Sequence, residues 1–461
     1  MSLVEDRRQA VLRASGFSSP SLMADTWLLL LAGGSLVLVG FIAAQVFDRF
    51  RLPDYFILMS IGLLLGSGLL PLGDFDPRAS LASIAPALTN VALAFILFEG
   101  GLVLHVRGMA KAWGVAALHT GIAMALAILG MLLVANMLLG LALTTALIIA
   151  LAFCGPSASI DISLLSQLRV SDRTRFTIIM EGVMGNVVAA VLVLLLIRIP
   201  GAIADTSAWF SFLASVSVSV LVAFAVGRIW VAVTGGPRPR RFFFMTSVAL
   251  AVVLYAVGDG LFGGNGGIAA FVFGLVLGHQ RVPAAQRPAP QSAPVSRGLQ
   301  EFQGELVFLL RTFFFLYLGL RVQLTGISAA ALLGAIGFAA VFYASRWPST
   351  ALLSRIWRLA RRDSRILRAT VARGMTDTVL ILLAIEVGVI PPGEANLVTN
   401  LLFLVIIGAA AASAFLVFRA ERLTSLEPRA PTPAVVSGPT EFDRALTEFL
   451  EDPIVKQGEI D

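Results

Sequence analysis

Eight ionisable residues stand inside or at the edge of long apolar runs of this chain: Glu99, Asp161, Glu181, Glu305, Arg311, Arg373, Asp377 and Glu386. Charge in such surroundings is costly and marks ion or proton paths. Glu181 lies in Thr177-Ile-Ile-Met-Glu-Gly-Val-Met-Gly-Asn186. A carboxylate there can bind a cation or take a proton; paired with an Arg it would instead be structural. Asn186, five residues on, offers a carbonyl oxygen to a cation and cannot titrate. Arg373 is a permanent charge and needs a permanent partner, which Glu181 or Asp377 can supply, unless it snorkels to an interface. Asp161 is either an ion ligand or the partner of a basic residue in the loop that follows it. Glu305 and Arg311 lie six residues apart, off one helix face, so each is expected to pair with another helix. Glu99 reads as a packing or capping residue and Glu386 as solvated. His105, His119 and His279 are scattered and suggest no metal site.

Two apolar segments that carry these residues are broken in the middle, at matching places in the two halves. The first, about 139–165, is interrupted at Cys154-Gly155-Pro156-Ser157; the second, about 366–389, at Arg373-Gly374-Met375-Thr376-Asp377. Broken membrane helices in corresponding positions point to a transporter's substrate site. A break frees backbone N–H and C=O groups at membrane depth, where only protein or a water-filled cavity can take them up. The Ser157 hydroxyl and the freed carbonyls near Pro156 are cation ligands by chemistry, as in carbonyl-lined filters.

The elements that position these residues are membrane helices. The chain is 57% hydrophobic and 13% charged, with a mean hydropathy of +0.88, where a soluble domain carries about 25% charge. Thirteen apolar segments recur, at roughly 27–46, 55–71, 84–104, 113–135, 139–165, 176–197, 208–233, 242–262, 266–280, 304–320, 327–345, 366–389 and 397–418. Basic residues fall in alternate loops: Arg49 and Arg51; Arg107 and Lys111; Arg169, Arg173 and Arg175; Arg238, Arg240 and Arg241; Arg281, Arg287 and Arg297; and the cluster Arg346 to Arg368. The other loops hold only Arg78, Arg198 and Arg321. By the positive-inside rule the basic loops are cytoplasmic, which puts residues 1–26 outside and the 419–461 tail inside.

This topology accounts for the net charge of +6. No basic face interleaved with aromatics marks a nucleic-acid partner. Cys154 is the only cysteine, which excludes intrachain disulfides and cysteine-held zinc or iron–sulfur centres. No phosphate-binding glycine fingerprint or P-loop is present, so no cofactor and no enzymatic activity are expected, and transport would be driven by a gradient. The first 26 residues lack the apolar core and cleavage site of a signal peptide, so the first crossing is expected to act as its own insertion signal. Arg281 to Gln300 reads as a flexible linker between halves. Ser354 to Arg368, which alternates apolar and Arg positions, reads either as one interfacial amphipathic helix or as a plain basic loop.

In Phe98-Glu99-Gly100-Gly101-Leu102 the chain resembles the third-helix signature of the monovalent cation/proton antiporter superfamily, in its sodium/proton exchanger branch. The Pro156 break, the Glu181 segment, Gly264-Asn-Gly-Gly-Ile-Ala-Ala-Phe-Val-Phe-Gly274, Arg311-Thr-Phe-Phe-Phe-Leu-Tyr-Leu-Gly319 and Ala372-Arg-Gly374 follow in that family's order. The resemblance spans about 27–418. It implies an all-α polytopic fold with thirteen helices in two inverted repeats, about 27–197 and 242–418, with two broken, crossing helices. It also implies a homodimer in the cell membrane that exchanges Na⁺ or K⁺ for H⁺ by alternating access. It makes Glu181 and Arg373 a structural ion pair. Two positions depart from the pattern. The family's Thr-Asp-Pro at the first break is Cys154-Gly155-Pro156 here, and its Asn-Asp pair on the sixth helix is Gly185-Asn186. The exchange carboxylate is therefore expected at Asp161, Glu181 or Asp377, and first at Asp161, which lies about 1.5 helical turns past Pro156. The competing readings are an uncoupled or other-ion transporter on the same scaffold, and a non-transporting sensor.

Overall fold

The computed structural model describes residues 31, 33–46, 54–67, 77–104, 110–157, 170–198, 206–234, 242–279, 294–323 and 326–425. Among them the regular structure is helical, and each of the thirteen apolar segments holds a helix. Apolar side chains all round drive each segment into the membrane, and there a helix alone satisfies every backbone group within the segment. In chain order the helices are α1 (Gly33–Val46), α2 (Asp54–Gly66), α3 (Pro77–Val103), α4 (Ala110–Leu133), α5 (Leu143–Ala152), α6 (Asp172–Arg198) and α7 (Thr206–Thr234). They continue with α8 (Phe243–Gly260), α9 (Gly266–Gly278), α10 (Pro294–Arg321), α11 (Ala329–Trp357), α12 (Arg361–Ala369), α13 (Met375–Glu386) and α14 (Pro392–Ser425). A π turn, Val134–Leu138, extends α4. Eight of the described helices are long and apolar enough to cross a bilayer.

Glycines set the closest seams. A Cβ on Gly62, Gly66 or Gly319 would collide with main chain across the α2–α10 seam, and one on Gly101, Gly274 or Gly278 with main chain across the α3–α9 seam. Helices in lipid gain little from burying apolar area against each other, so backbone approach through small residues supplies the packing. The Arg311 guanidinium pairs with Asp54 of α2 at 2.6 Å, as expected of a residue facing another helix. Glu305 is exposed instead, and Glu386 is half-buried, its carboxylate oxygens covered by protein rather than solvated.

The basic stretch after the eleventh segment departs from expectation. Helix α11 does not stop near residue 345 but runs through Pro348 to Trp357. Arg358 then turns left-handed (φ 50°), and a separate helix, α12, follows. The amphipathic stretch 354–368 is thus two helices, and α12 buries Asp363, Ser364, Ile366 and Leu367 against protein. The Ser171 hydroxyl, just before α6, donates to the Asp363 carboxylate, and the Arg368 guanidinium lies 4.9 Å from the Trp347 ring centre.

Candidate ion site at the meeting of the two breaks

Helix α5 ends at Ala152, and Phe153 to Ser157 run on as buried, non-helical chain. The proline ring removes a donor and forbids continuation, which is why the break falls at Pro156. The second break is the extended stretch between α12 and α13; it is closed by the Asp377 carboxylate, which accepts the Gly374 N–H at 3.1 Å. The two breaks hold each other. The Ser157 N–H donates to the Ala372 carbonyl at 2.9 Å, and the Arg373 guanidinium donates through Nη1 to the Gly155 carbonyl. Groups freed by one break are therefore taken up by the other, as membrane depth requires.

Arg373 is buried, and its guanidinium carbon sits 3.8 Å from the centre of the Phe342 ring. Phe342 and Phe338 of α11 pack edge-on against Phe153 at 6.2 and 5.8 Å. An aromatic face is a good receiver for a desolvated guanidinium, so this cluster holds Arg373 at the meeting point and does not release it to an interface.

Glu181 has a different partner from the one expected. Its carboxylate takes a two-pronged contact from Arg346 of α11, at 2.8 and 2.7 Å, and not from Arg373. The physical reason is position. Arg346 faces α6 within the bundle, while Arg373 is drawn to the orphan carbonyl of Gly155. Arg346 also donates to the Leu367 carbonyl (2.8 Å) and the Thr370 hydroxyl (3.1 Å), so it ties α6 to the chain entering the second break. The sequence pattern placed Arg346 in a basic loop; the signal that it belongs inside is that it directly follows an unbroken apolar run. His119 was missed too. It is a buried residue of α4 whose Nε2 lies 3.5 Å from the Glu181 carboxylate.

At the first break, the backbones of Gly155 and Gly185 touch. A Cβ on Gly155 would lie 2.6 Å from the Gly185 Cα, and one on Gly185 2.7 Å from the Gly155 Cα. These are two of the positions where the family pattern places polar side chains. Here glycine closes the space between the first break and α6. Asn186, next along, is half-buried. Asp377 is buried on the first turn of α13 and, among the described residues, has no ion-pair partner within 4.0 Å. Asp161 lies outside the described residues. Among those residues no group of three or more His, Cys, Asp or Glu could hold a metal ion.

Comparison with known proteins gives the architecture its place. The transmembrane sodium/hydrogen exchanger family matches residues 34–419. The chain belongs to this family. Among the relatives is a K⁺/H⁺ antiporter NhaP of Alkalimonas amylolytica, 26% identical over 389 residues, covering 82% of this chain and 64% of the relative. Another, a K⁺/H⁺ antiporter NhaP2 of Shewanella baltica strain OS223, is 25% identical over 425 residues and covers 88% of this chain and 69% of the relative. The chain thus spans about two thirds of the length of these relatives. Its fold is that of the sodium proton antiporter MjNhaP1 from Methanocaldococcus jannaschii, with a TM-score of 0.69 at 18% identity over 86% of this chain and 99% of that one. Within an exchanger-family fold, then, the two breaks meet over a glycine–glycine contact, a paired Glu181 and an Asp377 that has no ion-pair partner among the described residues.

Proposed function

We propose that this protein exchanges a monovalent cation, Na⁺ or K⁺, for protons across the cell membrane by alternating access, as a secondary transporter. Asp377 is the carboxylate for which cation and proton compete. Membership of the exchanger family supports the scaffold, and the names of the K⁺/H⁺ and sodium proton relatives support the substrate class. The observation that carries the choice of Asp377 is its burial beside the second break without an ion-pair partner among the described residues, while Glu181 is held by Arg346.

Charge supports competition at that site. Glu181, Arg346, Arg373 and Asp377 sum to zero when Asp377 is ionised. A proton on Asp377 and a monovalent cation on it each bring the cluster to the same net charge, so one can replace the other without changing the field around Arg373. Asn186 and Ser157 supply neutral oxygens; Pro156 and Gly374 keep the two breaks open to the site. The reading includes inverted repeats over about 27–197 and 242–418, cytoplasmic basic loops, residues 1–26 outside, the 419–461 tail inside, and a homodimer.

The Gly155–Gly185 contact favours a second reading, in which the scaffold carries an ion without proton coupling or senses it. Reconstitution separates the two. Purified protein, sized first and expected as a dimer, is placed in liposomes under a pH gradient, and Na⁺, K⁺ or Li⁺ is added. Cation-dependent dissipation is expected in wild type and in Asp161→Asn, and its loss in Asp377→Asn. Dissipation that survives Asp377→Asn and stops in Asp161→Asn moves the role to Asp161. No dissipation in folded wild type establishes the second reading.

A further inference from the structure

His119 is a buried imidazole for which the exchange reading has no use. Its side chain has no exposed surface, Nε2 is 3.5 Å from a Glu181 oxygen, and among the described residues neither ring nitrogen has a hydrogen-bond partner of normal geometry. A neutral imidazole buried beside a carboxylate that is already held by Arg346 gains little for its lost hydration, so the placement calls for a role. The charged groups that neighbouring helices bring to it are Glu181 from α6 and, across that carboxylate, Arg346 from α11. Helix α5, the third element packed on α4, carries no titratable side chain. Of the other titratable residues on these two helices, Asp172, Arg173, Arg175 and Arg198 of α6 lie six or more residues from Glu181, and on α11 Tyr343 lies three residues before Arg346 and Arg355 nine after it.

We infer that His119 is a proton-binding site whose charge state is read by the Glu181–Arg346 pair. One proton adds to the free ring nitrogen, imidazole becomes imidazolium, and the three-residue cluster goes from neutral to singly positive. The imidazolium then competes with Arg346 for the Glu181 carboxylate. Arg346 is the residue that also holds the Leu367 carbonyl and the Thr370 hydroxyl, where the chain enters the second break. Proton occupancy at α4 is thereby conveyed to the segment that carries Arg373 and Asp377.

The test uses full-length protein with ring-¹³C histidine. The chain has three histidines, so His105→Gln and His279→Gln assign the His119 signal by elimination. The signal is expected to change as the sample is acidified, and that response to differ in Glu181→Gln. A signal that stays fixed throughout the acidification overturns the site. A titration identical in wild type and Glu181→Gln overturns the coupling. The transport readout rests on the exchange reading: His119→Gln is expected to displace the pH–rate profile of cation-dependent dissipation, and an unchanged profile removes the link to transport. If wild type dissipates no gradient while the His119 signal titrates and responds to Glu181→Gln, the proton site stands and proton exchange falls.

Discussion

Arg346 uses every guanidinium nitrogen on protein: Nε on the Leu367 carbonyl, Nη1 on Glu181, and Nη2 on Glu181 and the Thr370 hydroxyl. Both members of the ion pair are nearly fully buried, at 4% and 1% side-chain exposure. A buried pair contributes little net stability while whole, but losing one partner strands a charge at a cost of about 3–5 kcal/mol. Glu181→Leu or Arg346→Leu alone should therefore lower the thermal unfolding temperature in detergent sharply. The double change should recover much of the loss, because it strands no charge. Two equal single losses that simply add in the double variant would refute the pairing. Conservative change is not neutral here either, since a lysine at 346 lacks the planar fork that makes two parallel contacts to one carboxylate.

At the scale of elements, the contact between the first break and α6 depends on two residues having no side chain. Gly185→Ala puts a methyl group 2.7 Å from the Gly155 Cα, where the obstacle is backbone and cannot rotate away. Overpacking of this kind costs about 1–3 kcal/mol. Gly121→Ala on α4 is the control: a Cβ there meets nothing within 4 Å, and replacing helical glycine by alanine gains up to about 1 kcal/mol. Thermal shift measured side by side should fall for Gly185→Ala and hold or rise for Gly121→Ala. A rise for Gly185→Ala would mean that the break and α6 separate freely. The apolar segments and their two interruptions were legible in the sequence, because twenty-residue hydrophobic runs and a proline or glycine within them follow from local chemistry. The length of α11 was not. Arg346 looks like the end of a buried run until Glu181 is brought beside it from α6, and the Leu367 carbonyl and Thr370 hydroxyl from the end of α12.

For the molecule as a whole, the proposed orientation rests on the alternation of basic loops. Its check is convenient because Cys154, the only cysteine, is buried. A cysteine at exposed Arg358, between α11 and α12, should react with a membrane-impermeant maleimide only from the cytoplasmic side. One at exposed Gly393, at the start of α14, should react only from outside. The reverse pattern would turn the molecule over.

Composition and spacing determined, without any fold, that this is a polytopic helical membrane protein with two interrupted helices and charges placed in apolar surroundings. Those features are local, since they depend on residue type and on the period of a helix in lipid. Which charge meets which was decided only by the tertiary structure. Glu181 and Arg346 are 165 residues apart, and His119 joins them from a third helix. Arg373 was equally eligible by charge, but it was committed elsewhere once folding brought the unsatisfied carbonyl of Gly155 within its reach. Ion pairing in a bundle is settled by which helix faces touch and which backbone groups are left open, and neither is written in the spacing along the chain.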